Sequence, residues 1–553
     1  MVAVGVVASR GAAWGGQPRP DPEPEPPEVR YAPYEIVVFP HDPFYSPAIA
    51  ERMREDGFLI IGRSAMSGMI LATTAPVPGI EEILCRYMRL WPEVNAAERN
   101  IAGDALSRQP EVCPPLGSYT RDRCNESFAT GQIRTPCDTT SLPLGHPNDP
   151  TFCDQWGLHN SGQSVVDLSR WTQPTTPPNA HCWEQVGVPG IDINLLDAWE
   201  RTTGSPLVTV AVLDSGIEDC NPDFDPYRFL EPGLAYNCPG NDNSENLCCT
   251  GAGDPCNFLP ATDNFGHGTF VASIIAATSN NGIGMTGIDQ QCKLLAVRAL
   301  GSSQMGSGQP AAEVTFGRVI LAMEEIGDNP NYESVRVINC SFRLPYVDNL
   351  QEAALEAAVL TLASQNRFVV AGSGNGGPTG ATVPQRMDRV FNVGGLDSRG
   401  KRFVHPHDSG VHSSYGPDLD FMAPGMAEIG LTCQMDECTA NPPPSGCPYR
   451  MQACLFGYQQ LDLTGTSFAA PKVCGAISLI LAHAIFLEVV NPEDWTGLTF
   501  DDMYEILKAG CRDQVSWHCD GCEDVLDTVG HDDYYGRGLI DIDAPLQYLE
   551  DNF

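Results

Sequence analysis

Val208-Thr209-Val210-Ala211-Val212-Leu213 is a nearly unbroken run of apolar and β-branched residues, and it ends on Asp214-Ser215-Gly216. A strand with no polar side has no face to offer water, so it belongs inside a sheet covered on both faces. Comparable runs recur at Leu294–Val297, Val335–Cys340, Phe368–Ala371 and Val390–Val393. Helical stretches alternate with them at His267–Ala277, Ala311–Ile326 and Gln351–Gln365. This alternation predicts an α/β architecture, a mainly parallel sheet with helices on both faces. Reactive groups in such sheets gather at the carboxyl ends of the strands, which is where Asp214 stands.

The chain is 553 residues long, enough for more than one domain. Ahead of the parallel-sheet region, residues 1–33 read as a weakly apolar start followed by a Pro- and Glu-rich spacer (QPRPDPEPEPPEVR). Residues 34–100 then show strand at Tyr34–Phe39, helix at about Ser46–Asp56, strands at Phe58–Ile61 and Met69–Ala72, helix at about Gly79–Leu90, and a short strand at Val94–Ala97. The order β-α-β-β-α-β predicts a small α+β split βαβ domain. Residues 101–150, with Cys113, Cys124 and Cys137 and no period, read as a linker, and residues 151–553 as the main domain.

There are 32 Lys and Arg against 70 Asp and Glu, a net charge of −38. Such a surface repels phosphate and argues against nucleic acid and against docking on an anionic membrane. The 21 cysteines fall mostly in loop-like stretches, among them the insertions 220–256 and 433–454. That distribution points to disulfides and an oxidising, extracellular setting. Cys340 and Cys474 lie in apolar runs and read as buried free thiols. The best candidate for a membrane span, Ile477 to Val490, is short and carries His483 and Glu488.

Three residue types complete the picture. Ser467 lies in Leu463-Thr464-Gly465-Thr466-Ser467-Phe468-Ala469-Ala470-Pro471, at the expected start of a long apolar helix running to about Val490, where it reads as an N-cap. His267 opens another small-residue helix in Gly266-His267-Gly268-Thr269. Each of Asp214, His267 and Ser467 has an ordinary structural reading alone. Together they are a hydroxyl, a base that titrates near neutrality and a carboxylate able to orient that base, the parts of nucleophilic acyl transfer. Position 469 is alanine, so the serine is not in a G-x-S-x-G elbow.

These stretches resemble the motifs of the subtilisin-like serine proteases, the subtilase family, of the secreted bacterial type. Val212–Ile217 resembles the aspartate motif, Gly266–Ala272 the histidine motif and Gly465–Pro471 the serine motif. Ser413–Pro417, Met422–Gly425, Gln155–Leu158 and Asp192–Asn194 resemble further family segments. The resemblance implies a serine endopeptidase with Asp214, His267 and Ser467 as triad and Asn375, in Val369–Gly377, as oxyanion donor. It implies a substrate edge at Ser341-Phe342-Arg343 and an opposite wall at Ala371, Gly372 and Gly374. The family usually has glycine where Arg343 stands; a cation there either narrows the site, favours acidic or small side chains, or points to solvent. Asn280–Met285 resembles a tight calcium loop, with Asp223, the Asn281 side chain and the carbonyls of Ser279, Ile283 and Met285 as ligands of a structural Ca2+. Residues 34–100 resemble an inhibitor-like propeptide, which implies a zymogen cut within 101–152; a permanent accessory domain is the other reading. The expected partners are polypeptide substrates and the chain's own propeptide, with no nucleic acid and no membrane, the protein being a secreted monomer. A narrow-specificity processing protease and an inactive subtilase-fold binding protein are the alternatives.

Overall fold

The computed structural model describes residues 30–73, 80–105, 146–167, 183–219, 221, 223–231, 233–235, 261, 263, 265–304, 310–376, 382–405, 410–432, 459–513 and 529–553. The Pro-rich spacer, Cys113, Cys124, Cys137, nearly all of the expected linker and most of the two cysteine-rich insertions lie outside these residues.

The first unit runs β1 (Arg30–Pro40), α1 (Ser46–Glu55), β2 (Leu59–Arg63), β3 (Ile70–Thr73), α2 (Ile80–Met88) and β4 (Val94–Ala105). This is the expected β-α-β-β-α-β order. Its bounds differ at both ends, since β1 begins at Arg30 and β4 runs on to Ala105, through the start of the expected linker. The extension has a cause in the rest of the chain. Beyond residue 100, β4 finds two further partners, the strands Pro310–Thr315 and Phe342–Pro345, both antiparallel to it. Alternation along β1 then buries both faces. Ile36 and Val38 pack with Ile49, Met53 and Met88 of the unit's own helices, while Val37 and Phe39 join a cluster with Leu321, Phe316 and Leu355.

The second unit is built on seven strands, in spatial order Phe421–Pro424, Val390–Leu396, Phe368–Gly372, Val335–Cys340, Thr209–Asp214, Lys293–Arg298 and Leu234–Ala235. Every pairing among them is parallel. The Thr209–Asp214 strand is buried at all six positions. Val210 and Val212 face one core with Phe270, Val271, Ile477 and Ile480; Ala211 and Leu213 face the other with Val319, Ile320 and Val359. The helices His267–Ala276 and Ala470–Phe486 therefore cover one face, and Phe316–Asp328 and Leu350–Ser364 the other. The latter pair lies between the two sheets.

Two local expectations change. The helix expected from Ala311 starts at Phe316, with the Thr315 side chain capping the N–H of Arg318, because residues 310–315 are drawn into the sheet beside β4. The apolar stretch Thr466–Phe486 is long enough to cross a membrane by length and composition, yet 94% of its apolar window is buried, so it is the central core helix of this sheet. Cys340 and Cys474 are free and buried, as are Cys85 and Cys292.

The units meet through polar groups removed from water. Glu35 pairs with Arg318 and accepts from Asn100 Nδ2 at 2.8 Å; Asn100 Nδ2 also donates to Thr315 Oγ1 at 2.8 Å, and Ser64 Oγ donates to Glu324 at 2.7 Å. Removing one member of a buried ion pair leaves the other uncompensated, which typically costs about 3–5 kcal/mol. Glu35→Ala is therefore expected to lower the unfolding free energy of the full chain by about that amount, read as a lower midpoint in denaturant; an unchanged midpoint would show that Arg318 and Asn100 find other acceptors.

Candidate active site

The carboxyl end of the Thr209–Asp214 strand places Asp214 under the N-terminus of the His267–Ala276 helix. Asp214 has no solvent exposure, and its carboxylate takes a hydrogen bond from its neighbour Ser215 N at 2.7 Å. His267 Nδ1 lies 2.7 Å from Asp214 Oδ1 and 2.9 Å from Oδ2, with the imidazole equally buried. A carboxylate accepts only, so Nδ1 carries the proton, and the tautomer with a basic Nε2 follows.

The close approach depends on Gly268. A Cβ built there would lie 2.1 Å from the carbonyl oxygen of Gly216, in the loop just past Asp214. Asp263, which the sequence reading passed over, holds the same turn. Its Oδ1 accepts from Ser215 Oγ, Phe265 N and Gly266 N, and its Oδ2 from Thr269 N and Oγ1, all at 2.7–2.9 Å. Ser215 Oγ in turn accepts from Gly268 N at 2.9 Å. Its only signal was an acidic residue four positions before a histidine at a helix start.

Ser467 is not an N-cap. It sits in the 3-10 turn Thr466–Phe468 ahead of the Ala470–Phe486 helix, whose first turn contains Pro471 and which has no side-chain cap. Its hydroxyl donates to the carbonyl oxygen of Ser341 at 3.4 Å, a long bond. The next residue, Phe468, puts its ring 5.8 Å from that of His267 and 4.4 Å from Phe270. Ser341 Oγ donates to the backbone carbonyl of Ser467 at 2.9 Å, tying the serine turn to the strand end at Cys340.

Asn375 reaches the same turn. Its Oδ1 accepts from Thr466 N at 2.9 Å and from Thr466 Oγ1 at 3.1 Å, which fixes the amide so that the NH2 end is turned away from Thr466. Gly374, at φ +111°, donates its N–H to Thr466 Oγ1 at 3.1 Å. A Cβ there would meet Ser414 Oγ at 2.8 Å. Ala371 and Gly372 end the Phe368–Gly372 strand. On the other side, Phe342 is fully buried, its carbonyl held by Gln385 Nε2 at 2.7 Å, and Arg343 is half-buried.

Beneath the serine turn lies a pair the sequence reading did not find. Lys472 Nζ donates to the carbonyl of Phe468 at 3.1 Å and meets Glu428 Oε2 at 2.8 Å, with almost no exposure on either side chain. Burial pushes the Glu428 carboxyl up and the Lys472 ammonium down, and their contact offsets part of that cost. A lysine inside an apolar run was the available signal.

The residues of the expected calcium loop also converge. Asp223 accepts from Asn281 Nδ2 and from Met285 N, each at 2.8 Å, while Asn281 Oδ1 accepts from Ile283 N at 2.9 Å. Ser279 hydrogen-bonds through its hydroxyl to Thr286. A second carboxylate, Asp149, accepts from Asn280 N at 2.9 Å and Asn281 N at 3.2 Å. It had been read as the end of a linker. Among the described residues no three acidic, histidine or cysteine side chains cluster as a metal site, and the Asn281 amide turns its nitrogen, not its oxygen, to Asp223. Burial pushes Asp223 up to about 7, with the Asp149 charge adding to the effect.

Residues 206–498 match the model of the subtilase family, peptidase S8. Subtilisin Savinase of Lederbergia lenta is 31% identical over 342 residues, 62% of this chain and 91% of its own. Subtilisin E of Bacillus subtilis is 29% identical over 349 residues, 62% of this chain and 67% of its own. Among solved structures, a protease of Pseudoalteromonas arctica is 25% identical, covering 73% of this chain and 99% of its own, with a TM-score of 0.44. The chain belongs to the subtilase family and is a subtilisin-like serine endopeptidase, a hydrolase of peptide bonds acting on polypeptides.

The Asp223 shift has a sign that can be measured. A carboxyl whose folded pKa is raised above its unfolded value holds its proton more tightly when folded, so stability is lost as pH rises between 3.8 and about 7. With divalent cations chelated, the melting temperature should fall across that window, and Asp223→Asn should flatten the slope. An equal slope in the variant would assign it to other groups.

Proposed function

We propose that Asp214, His267 and Ser467 form the catalytic triad of a secreted endopeptidase made as a zymogen. The observation that carries this reading is the doubly placed Asp214–His267 bond, at 2.7 and 2.9 Å and fully buried, at the strand end beside the serine turn. In the reaction Ser467 Oγ attacks the scissile carbonyl carbon as His267 Nε2 takes its proton. Asp214 holds the imidazole and stabilises the imidazolium. The oxyanion accepts from the Asn375 amide NH2 and the Ser467 backbone N–H. Collapse expels the amine, which leaves with the proton from His267, and water repeats the sequence on the acyl-enzyme. The amide orientation imposed by Thr466 supports the Asn375 role. Lys472, through the Phe468 carbonyl, steadies the turn that presents the hydroxyl.

The first unit acts as the propeptide. β4 enters the groove between Pro310–Thr315 and Phe342–Pro345 as an added strand, the way a peptide substrate binds an open sheet edge. Ser467 and His267 have no exposure in the full chain, in keeping with a site closed until that strand leaves. Cleavage falls within 101–152. The disulfide-bonded Cys153 supports an oxidising, extracellular setting. We read the mature protein as a monomer that binds neither nucleic acid nor membrane.

The donor set fits a calcium ion. Asp223, Asn281 and the carbonyls of Ser279, Ile283 and Met285, joined by Asp149, are hard oxygens, and the buried, mutually repelling Asp149 and Asp223 are what a divalent cation relieves. The ion would stabilise the loop and take no part in peptide hydrolysis.

Ser467→Ala should lose on the order of 10⁶ in kcat, and Asn375→Ala about 10²–10³, in a matured enzyme assayed on casein. A loss below about tenfold for Ser467→Ala would end the assignment. Added calcium at neutral pH should raise the melting temperature of the wild type and leave Asp223→Asn unmoved; an equal rise in both would place the ion elsewhere.

A further inference from the structure

Arg343 has no part in the chemistry above, yet it lines the groove at one defined register. In the pairing of β4 with Phe342–Pro345, Arg343 stands opposite Asp104 and Phe342 opposite Ala105. On the other wall, Glu313 stands opposite the same residue, Asp104. Directly opposed residues of an antiparallel pair project on the same face of the sheet, with Cβ atoms about 4.5–5.5 Å apart. One position of an inserted strand is thus flanked by a guanidinium on one side and a carboxylate on the other, about 10 Å apart over two strand spacings. The neighbouring register positions face Val314, Thr315 and Phe342, which carry no charge. Charge is therefore read at a single place along the described groove.

We propose that Arg343 is a specificity-determining residue that selects Asp or Glu at the substrate position taking the place of Asp104. This rests on the reading that substrate follows the path of β4 once the first unit is released. Arg343 dominates over Glu313 because the guanidinium has the longer reach and a fork that matches a carboxylate with two parallel N–H donors. Glu313 sets the size of the effect, because it opposes every acidic residue that Arg343 attracts. Both groups are half-buried, so the preference is modest and falls with salt.

The test profiles the matured enzyme on a peptide library varied at each position on the amino side of the cleaved bond. Expected is a preference of about fivefold in kcat/KM for Asp and Glu over Asn at one position, larger over Lys. It should disappear in Arg343→Gly and Arg343→Gln and increase in Glu313→Gln. The readout is a ratio between peptides, so a variant that has only lost activity does not imitate the result. A wild-type profile blind to charge, or an acidic preference unchanged in both Arg343 variants, overturns the proposal. So does a preference for Lys or Arg that Glu313→Gln removes, which would give the selection to Glu313. Cleavage that persists in Ser467→Ala sinks the triad reading instead, whereas Ser467-dependent cleavage blind to charge sinks only the assignment of Arg343.

Discussion

A carboxylate with no exposure to water is tolerated only where hydrogen bonds replace its hydration, and Asp214 meets that condition through Ser215 N and the His267 imidazole. Much of the surrounding structure serves this placement. The strand under Asp214 is buried on both faces, so its end is packed between the helices on either side. Gly268 lets the histidine helix approach to a distance that any side chain would forbid. Asp263 collects five donors from the same turn and fixes how the helix begins.

The serine turn is held by a second set of contacts. Asn375 and Gly374 grip Thr466 on one side, Ser341 grips Ser467 on another, and Lys472 reaches the Phe468 carbonyl from below. All of these partners lie at strand ends or on the helix that follows, so one rim of one parallel sheet gathers groups distant along the chain. That is the usual place for a site in an open α/β sheet. The first unit reaches this rim by a different route, through a strand long enough to pair with β1 along its body and with Pro310–Thr315 and Phe342–Pro345 at its end, all in one sheet. Its buried pairing of Glu35 with Arg318 and the apolar packing of Val37 and Phe39 hold it on the helices behind the groove.

Much of this was legible from residue order alone. The parallel strands were visible as apolar runs because both faces are buried, and Val335–Cys340 was delimited to the residue for that reason. The βαββαβ order was visible because its helices and strands keep their own periods. Misreadings occurred where a distant partner overrode the local pattern. Residues 310–315 look helical, but β4 recruits them as a strand. Ser467 looks like a cap, but Thr466 and Phe468 form a separate turn before the helix. Asp149 looks like linker, since nothing nearby in the chain announces the loop at 279–285 that it serves.

The chain's order of residues determined the kind of fold and put a carboxylate, an imidazole and a hydroxyl in small-residue stretches, because burial on both faces writes a continuous apolar pattern and because close approach of backbones demands small neighbours. Only the tertiary structure decided which groups support them. Asp263, Glu428 and Lys472 have no periodic signature, since Asp263 is set by the turn it caps together with Ser215, and Glu428 and Lys472 by an ion pair between two remote stretches. The pairing of Arg343 and Glu313 with one position of β4 is of the same kind: register between strands hundreds of residues apart is fixed by packing, and no local stretch encodes it.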